Sequence, residues 1–281
     1  MHWPQPFEID KYEALGNDYF VSLLRENDAS LWTPDSIRWL CDRRKGVGSD
    51  GLLMAHQDLH GEWSVQIFNA DGTEAEKSGN GIRIAARYLY DQGSIQDSQF
   101  VLSTVGGKVA CRVHANDDLV TACLGRATFR SSDIPVTGPS REILEEELWL
   151  DSTPWKVSAV GLGNPHCVLF QEAISREITQ EIGPQLESHP RFRERTNVGF
   201  MQIIDDAHIR LRVFERGVGE TRACGTGACA AVAVGRRHGR LGAHVEVALP
   251  GGRLAIDWPA EGQALWMTGP ALESFRGQVE I

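Results

Sequence analysis

The sequence predicts a two-domain α/β protein whose halves are copies of one another. Three observations carry this expectation. The first is an internal repeat. LGNDYFV (residues 15–21) resembles LGNPHCV (residues 162–168), EAEKSGNG (residues 74–81) resembles ETRACGTG (residues 220–227), and GGKVA (residues 106–110) resembles GGRLA (residues 251–255). These matches run in the same order at a nearly constant offset of about 146 residues, which chance recurrence of Gly-rich turns does not produce. The second is that each half shows the same local order: an alternating segment, a Gly-x-Gly, then a helical stretch. The third is length, since 281 residues suit about two domains.

Each element has a local reason. WSVQIF (residues 63–68) and IRLRVF (residues 209–214) alternate as strands do and lead into the two Gly-x-Gly motifs. IRIAARYLY (residues 82–90) reads as a helix with Ile82, Ala85, Ala86 and Leu89 on one face and Arg83 and Arg87 off it. ACAAVAVGRR (residues 228–237) is apolar nearly all round until its end, so this helix is expected to be buried. VEVALPGGRLAIDW (residues 245–258) reads as a hairpin turning at Pro-Gly-Gly. Residues 131–152 are polar and acidic around Glu145, Glu146 and Glu147, and are expected to hold the connection between halves, with a solvated helix or loop.

Composition narrows the function classes. The formal net charge of −10 argues against nucleic acid or an anionic membrane as the main partner. No apolar run approaches the roughly 20 residues that span a bilayer. The N-terminal MHWPQPFEIDKYEALGND lacks the basic-then-apolar order of a signal peptide, so the expected compartment is the reducing cytoplasm. The cysteines at 41, 111, 123, 167, 224 and 229 are then expected as thiols, mostly in the core. None falls in a CxxC or a Cys/His spacing typical of zinc, and no metal site is expected.

Cys224 is the exception that suggests chemistry. Glycine at a helix start lets a ligand approach the backbone, and the first helical N–H groups have no intrahelical partner. A carboxylate binds well there, and two such starts facing one carboxylate would stabilise charge that builds up as the adjacent C–H is deprotonated. Cys224 immediately precedes the second helix start, where the helix dipole is expected to lower a thiol pKa. A thiolate beside a bound α-carboxylate is a plausible base for an α-proton. The alternative, a small buried cysteine of no chemical consequence, loses to the Gly-rich setting and the repeat. Ser78 occupies the equivalent position in the first half. A serine hydroxyl does not ionise usefully near neutral pH without a strong neighbouring base, and EKSGNG shows none.

FNADGTEAEKSGNGIR (residues 68–83) and FERGVGETRACGTGACAAVAVG (residues 214–235) closely resemble the two signature segments of the diaminopimelate epimerase family. GND near the N-terminus, GNPHCV, TNVGF, LPGGRL and WMTGPA fit the same pattern, so the resemblance covers essentially the whole chain. It implies a cofactor-independent enzyme of lysine biosynthesis, a cytoplasmic homodimer, that interconverts L,L- and meso-diaminopimelate using two cysteines on opposite faces of the α-carbon. It implies two pseudo-symmetric domains, each a curved sheet or barrel around a central helix, with the site in the interdomain cleft. The expected halves are residues 1–126, completed by 270–281, and residues 127–269.

Carried over by position, Cys224 matches one acid/base cysteine and Ser78 stands where the other is expected. Asn17, Asn69, Asn164, Asn197, Glu215 and Arg216 match substrate-binding positions. Gly79 and Asn80 in one half, and Gly225 and Thr226 in the other, match the loops that hold the reacting carboxylate. Arg216 can grip a distal carboxylate bidentately and Glu215 can accept from an ammonium group, with Asn69 and Asn197 orienting either; together they suit a second amino-acid head group. His166 either lines the pocket or is a satisfied structural histidine.

Two departures stand out. One is Ser78, which leaves four readings: an engineered cysteine-to-serine change, a slow epimerase that relays its proton through water or a neighbour, a divergent racemase or one-base isomerase or dehydratase, or a non-catalytic amino-acid-binding protein. The other is GVGSDGLL (residues 46–53), where an amide side chain is expected near Gly51.

Overall fold

The structure is a computed structural model and describes residues 7–24, 32–76 and 78–279. The chain divides into two compact units, Met1–Ala122 with Gly269–Ile281, and Cys123–Thr268.

In the first unit the strands follow the order Leu272–Val279, Phe7–Ala14, Asn17–Leu23, Gly51–Gln57, Trp63–Asn69, Gln99–Thr104, Gly107–Val113 and Leu119–Arg126, the last running past the unit boundary. Neighbours are antiparallel except at two places: Asn17–Leu23 runs parallel to Gly51–Gln57, and Trp63–Asn69 runs parallel to Gln99–Thr104. A parallel joint needs a long crossover, usually helical. Helix α1 (Pro34–Cys41) lies in the first crossover and helix α2 (Gly79–Asp91) in the second.

The second unit repeats this plan. Its order is Glu146–Leu150, Thr153–Gly161, Pro165–Phe170, Asn197–Ile203, His208–Glu215, His244–Leu249, Gly252–Asp257 and Ala264–Pro270. The parallel joints are again the third with the fourth strand and the fifth with the sixth. Helix α3 (Arg176–Glu187) and helix α4 (Gly225–Arg237) lie in the two crossovers. The duplication read from three short sequence matches is therefore present in strand order and in strand direction.

Each sheet curves around its second helix. Helix α2 packs on Phe7–Ala14 near one end of the strand order and on Gly107–Val113 near the other, with strands between them also in contact. Helix α4 packs likewise on Thr153–Gly161 and on Gly252–Asp257. Every residue of α4 from Gly225 to Gly235 is buried, as its all-round apolar composition predicts. Helix α2 departs from its expected one-sided pattern, because Arg83 is fully buried. Its guanidinium donates to Asn80 Oδ1 (3.0 Å) and to the carbonyls of Gly79 (3.2 Å) and Pro270 (3.3 Å), which replace water. Arg87 stays near the surface in an ion pair with Asp91 at 2.9 Å.

The strands around residues 63–69 and 208–215 and the hairpin at residues 244–257 form as the alternation predicts. Residues 131–152 hold no helix. They are turns followed by the strand Glu146–Leu150, where Glu146 is tied down by Arg141 and Arg191. All six cysteines are free thiols, and five of them, Cys123 excepted, are buried.

Candidate active site

The strand His208–Glu215 turns at Arg216–Val218 into the short strand Gly219–Thr221 and then into α4. Cys224 is the N-cap of that helix, with extended backbone (φ −130°, ψ 111°). Its Sγ accepts from the Gly227 N–H at 3.4 Å. In the first half Ser78 is the N-cap of α2 with nearly the same backbone (φ −136°, ψ 120°), and its Oγ accepts from the Gly81 N–H at 3.1 Å. The third helical residue is glycine in both, and a side chain there would be tightly packed. A Cβ at Gly227 would meet Cys224 Sγ at 3.2 Å, and one at Gly81 would meet Ser78 Cβ at 3.3 Å. Thiol and hydroxyl thus hold equivalent places, each folded over the first turn of a helix whose leading residues are Gly225 and Thr226 in one half and Gly79 and Asn80 in the other.

Their surroundings are not equivalent. The Cys224 thiol donates to Glu215 Oε2 at 3.2 Å, while Thr221 Oγ1 donates to Glu215 Oε1 at 2.5 Å. Thr226 Oγ1 lies 3.6 Å from the sulfur, and Asn164 Nδ2 donates to Thr226 at 3.5 Å. The strand-end position that the repeat pairs with Glu215 is Asn69, an exposed amide that donates to Thr73 Oγ1 at 3.0 Å. An amide cannot serve as a base. The cap thiol of one half therefore has a carboxylate partner, and the position equivalent to that carboxylate in the other half is a neutral amide.

The expected lowering of the Cys224 pKa is overturned. Burial pushes the thiol well above its ordinary value, and the adjacent Glu215 charge pushes it further, outweighing the hydrogen bonds from Thr226 and Gly227. Only 5% of Cys224 is exposed. Burial also raises Glu215, against the hydrogen bonds from Thr221 and Cys224. In this state the sulfur is a thiol hydrogen-bonded to a carboxylate that can take its proton.

Asn164 and His166 form a pair, with His166 Nε2 2.9 Å from Asn164 Oδ1. Burial, with a smaller contribution from the Arg216 charge, lowers His166 to about 3, so its ring is neutral near pH 7. Asn197 is buried; its Nδ2 donates to the Pro165 carbonyl at 3.1 Å and its Oδ1 accepts from the Arg216 backbone N–H at 3.0 Å. The Arg216 side chain is exposed and spends one N–H on the Glu194 carbonyl at 2.9 Å, leaving donors for a ligand carboxylate.

In the first half, Leu15 (φ 58°) and Gly16 (φ 80°) make a tight two-residue turn that presents Asn17. Asn17 Nδ2 donates to Asp50 Oδ2 at 2.8 Å, and its Oδ1 accepts from Asn80 Nδ2 at 3.2 Å. Asp50 went unnoticed in the sequence. The amide expected beside it has no room: a Cβ at Gly51 would lie 2.1 Å from the Phe68 carbonyl oxygen and 2.6 Å from the Tyr19 ring. Thr221 was also missed, and Arg83, read only as lying off the apolar face of its helix, was not read as part of the site. Among the described residues no group of three or more His, Cys, Asp or Glu is arranged for a metal ion, and no helix is long and apolar enough to cross a membrane.

Comparison with known proteins places the chain in a family. The family model described as diaminopimelate epimerase matches residues 11–130 and 158–273. A diaminopimelate epimerase of Alkalilimnicola ehrlichii is 43% identical over 275 residues, covering 96% of this chain and 98% of that protein. One from Halorhodospira halophila is 45% identical over 273 residues, covering 96% and 94%. Among solved structures, a hydroxyproline epimerase from Agrobacterium vitis superposes with a TM-score of 0.67 over 99% of this chain and 94% of its own, at 16% identity, a likeness of fold.

Proposed function

The chain belongs to the diaminopimelate epimerase family, and on that premise we propose that it interconverts L,L- and meso-diaminopimelate, with Cys224 carrying the α-proton at one face of the reacting carbon. It is an amino-acid isomerase. The single observation that carries the assignment of Cys224 is its hydrogen bond to Glu215 at the start of α4.

The chemistry follows from that arrangement. The reacting carboxylate accepts from the first N–H groups of α4, where the helix dipole favours negative charge, and the family resemblance implies a matching contribution from the start of α2. Glu215 takes the thiol proton, and the Cys224 thiolate then takes the α-proton. The electron pair left on carbon spreads into the carboxylate, which the helix starts stabilise. The family resemblance implies that a proton returns at the opposite face; Ser78 stands there but does not ionise, so a water delivers that proton and the hydroxide left behind takes the proton held by Glu215. That second step lacks a carboxylate partner, so it is the slow half of the reaction. Asn17, Asn69, Asn164 and Asn197 orient the substrate, and Arg216 receives the distal carboxylate. The family resemblance supports a cytoplasmic homodimer acting in lysine biosynthesis, and six free thiols suit a reducing compartment.

The test is deuterium uptake at the α-carbon of L,L- and meso-diaminopimelate in heavy water, comparing the native chain with Cys224→Ala. Uptake in the native chain and none in the variant is the expected result. Undiminished uptake by Cys224→Ala would remove Cys224 from its role.

A further inference from the structure

Helix α3 ends at Glu187, an acid only 2% exposed. Its carboxylate spans two partners. Oε1 accepts from the Gly217 backbone N–H at 3.0 Å, and Oε2 pairs with Arg195 Nη2 at 2.5 Å. Its own carbonyl accepts from the Thr196 N–H at 3.0 Å. Gly217 follows Arg216 in the tight turn closed by the Val218 N–H on the Glu215 carbonyl, and it has a φ of 74°.

Consecutive backbone N–H groups of this turn are thus held by two buried side chains, Arg216 by Asn197 and Gly217 by Glu187. The guanidinium of Arg216 is held by the carbonyl of Glu194. Glu194 precedes Arg195, a non-glycine residue in the left-handed region at φ 60°, a conformation that persists where neighbours enforce it. The Glu187 carboxylate therefore fixes both sides of Arg216: the peptide after it directly, and the carbonyl that aims its guanidinium through Arg195.

We propose that Glu187 is a positioning residue for the distal head group of the substrate, acting through the Gly217 N–H and Arg195 to set the direction of the Arg216 guanidinium. The inference rests on the proposed function above, in which Arg216 receives the distal carboxylate. Bidentate recognition depends on direction, so a loosened turn costs affinity for that carboxylate and leaves the proton transfer at Cys224 to proceed once substrate is bound.

Lysine is diaminopimelate without the distal carboxylate, and this makes the test selective. Binding of meso-diaminopimelate and of lysine is measured by titration calorimetry for the native chain, Glu187→Ala, Glu187→Gln and Arg216→Lys, beside kcat and KM for α-deuterium exchange. The proposal expects Glu187→Ala to weaken diaminopimelate by about tenfold or more with little change for lysine, and to raise KM more than it lowers kcat. Glu187→Gln keeps an acceptor for Gly217 and is expected to recover part of the loss. Equal losses for both ligands would mean a merely structural role and overturn the proposal, as would native affinity for diaminopimelate in Glu187→Ala. If Arg216→Lys leaves diaminopimelate binding untouched, the reading of Arg216 itself fails, and the inference with it.

Discussion

The thiol of Cys224 lies 3.2 Å from the carboxylate of Glu215, and the repeat-related pair, Ser78 and Asn69, has neither the thiol nor the carboxylate. One duplicated scaffold therefore presents a thiol–carboxylate pair in one half and a hydroxyl cap in the other.

Glu215→Gln keeps the shape of the side chain and an acceptor for Thr221 but removes the base proposed to take the thiol proton. Deuterium exchange on diaminopimelate is expected to fall by about a hundredfold or more. In the native chain the carboxylate must be ionised to act, and burial holds its pKa above the ordinary value. Exchange is therefore expected to fall as pH drops through that raised pKa, higher than for a solvated glutamate. The pH–rate profile checks this.

The fold was legible in the sequence because its evidence was periodic and repeated. Alternation at residues 63–68 and 209–214 and two Gly-x-Gly helix starts sufficed to place the equivalent elements. Cys224 was legible for the same reason, and its pKa was not. Its position shows the helix dipole, whereas burial and the charge of Glu215, nine residues upstream, become visible only on folding. Arg83 read as a surface residue because helical spacing cannot reveal three acceptors converging on one guanidinium. Glu187 and Asp50 carry no local motif, and the site groups they hold, Gly217 and Asn17, lie about thirty positions away.

Cys224→Ser tests whether the cap and the chemistry separate. Serine is a good N-cap and accepts from an N3 N–H, as Ser78 does for Gly81. The melting temperature is expected to stay close to native while α-proton exchange collapses. A large loss of stability would mean that the sulfur is needed for packing.

Gly51→Gln would install the amide expected from the family pattern. The clash of its Cβ with the Phe68 carbonyl is expected to destabilise the first unit by about 1–3 kcal/mol, measured by urea unfolding, with no gain in substrate affinity.

His166 gives the protein an acid limit. The unfolded imidazole takes a proton below about 6.5, while the buried ring resists until about 3. The unfolded state therefore binds more protons in that window, and stability is lost as pH falls through it, at up to about 1.4 kcal/mol per pH unit. His166→Gln keeps a partner for Asn164 and is expected to flatten the acid side of the stability curve between pH 6.5 and 4, followed by thermal melts.

Comparing α-deuterium incorporation with inversion of configuration separates a competent Cys224 side from a slow Ser78 side. Each diaminopimelate isomer is incubated in heavy water with the native chain and with Ser78→Cys. The native chain is expected to wash deuterium into the isomer whose α-hydrogen faces Cys224 faster than it inverts it, and Ser78→Cys is expected to bring the two rates together by accelerating inversion. Native inversion that keeps pace with exchange from both isomers, unchanged by Ser78→Cys, would contradict it.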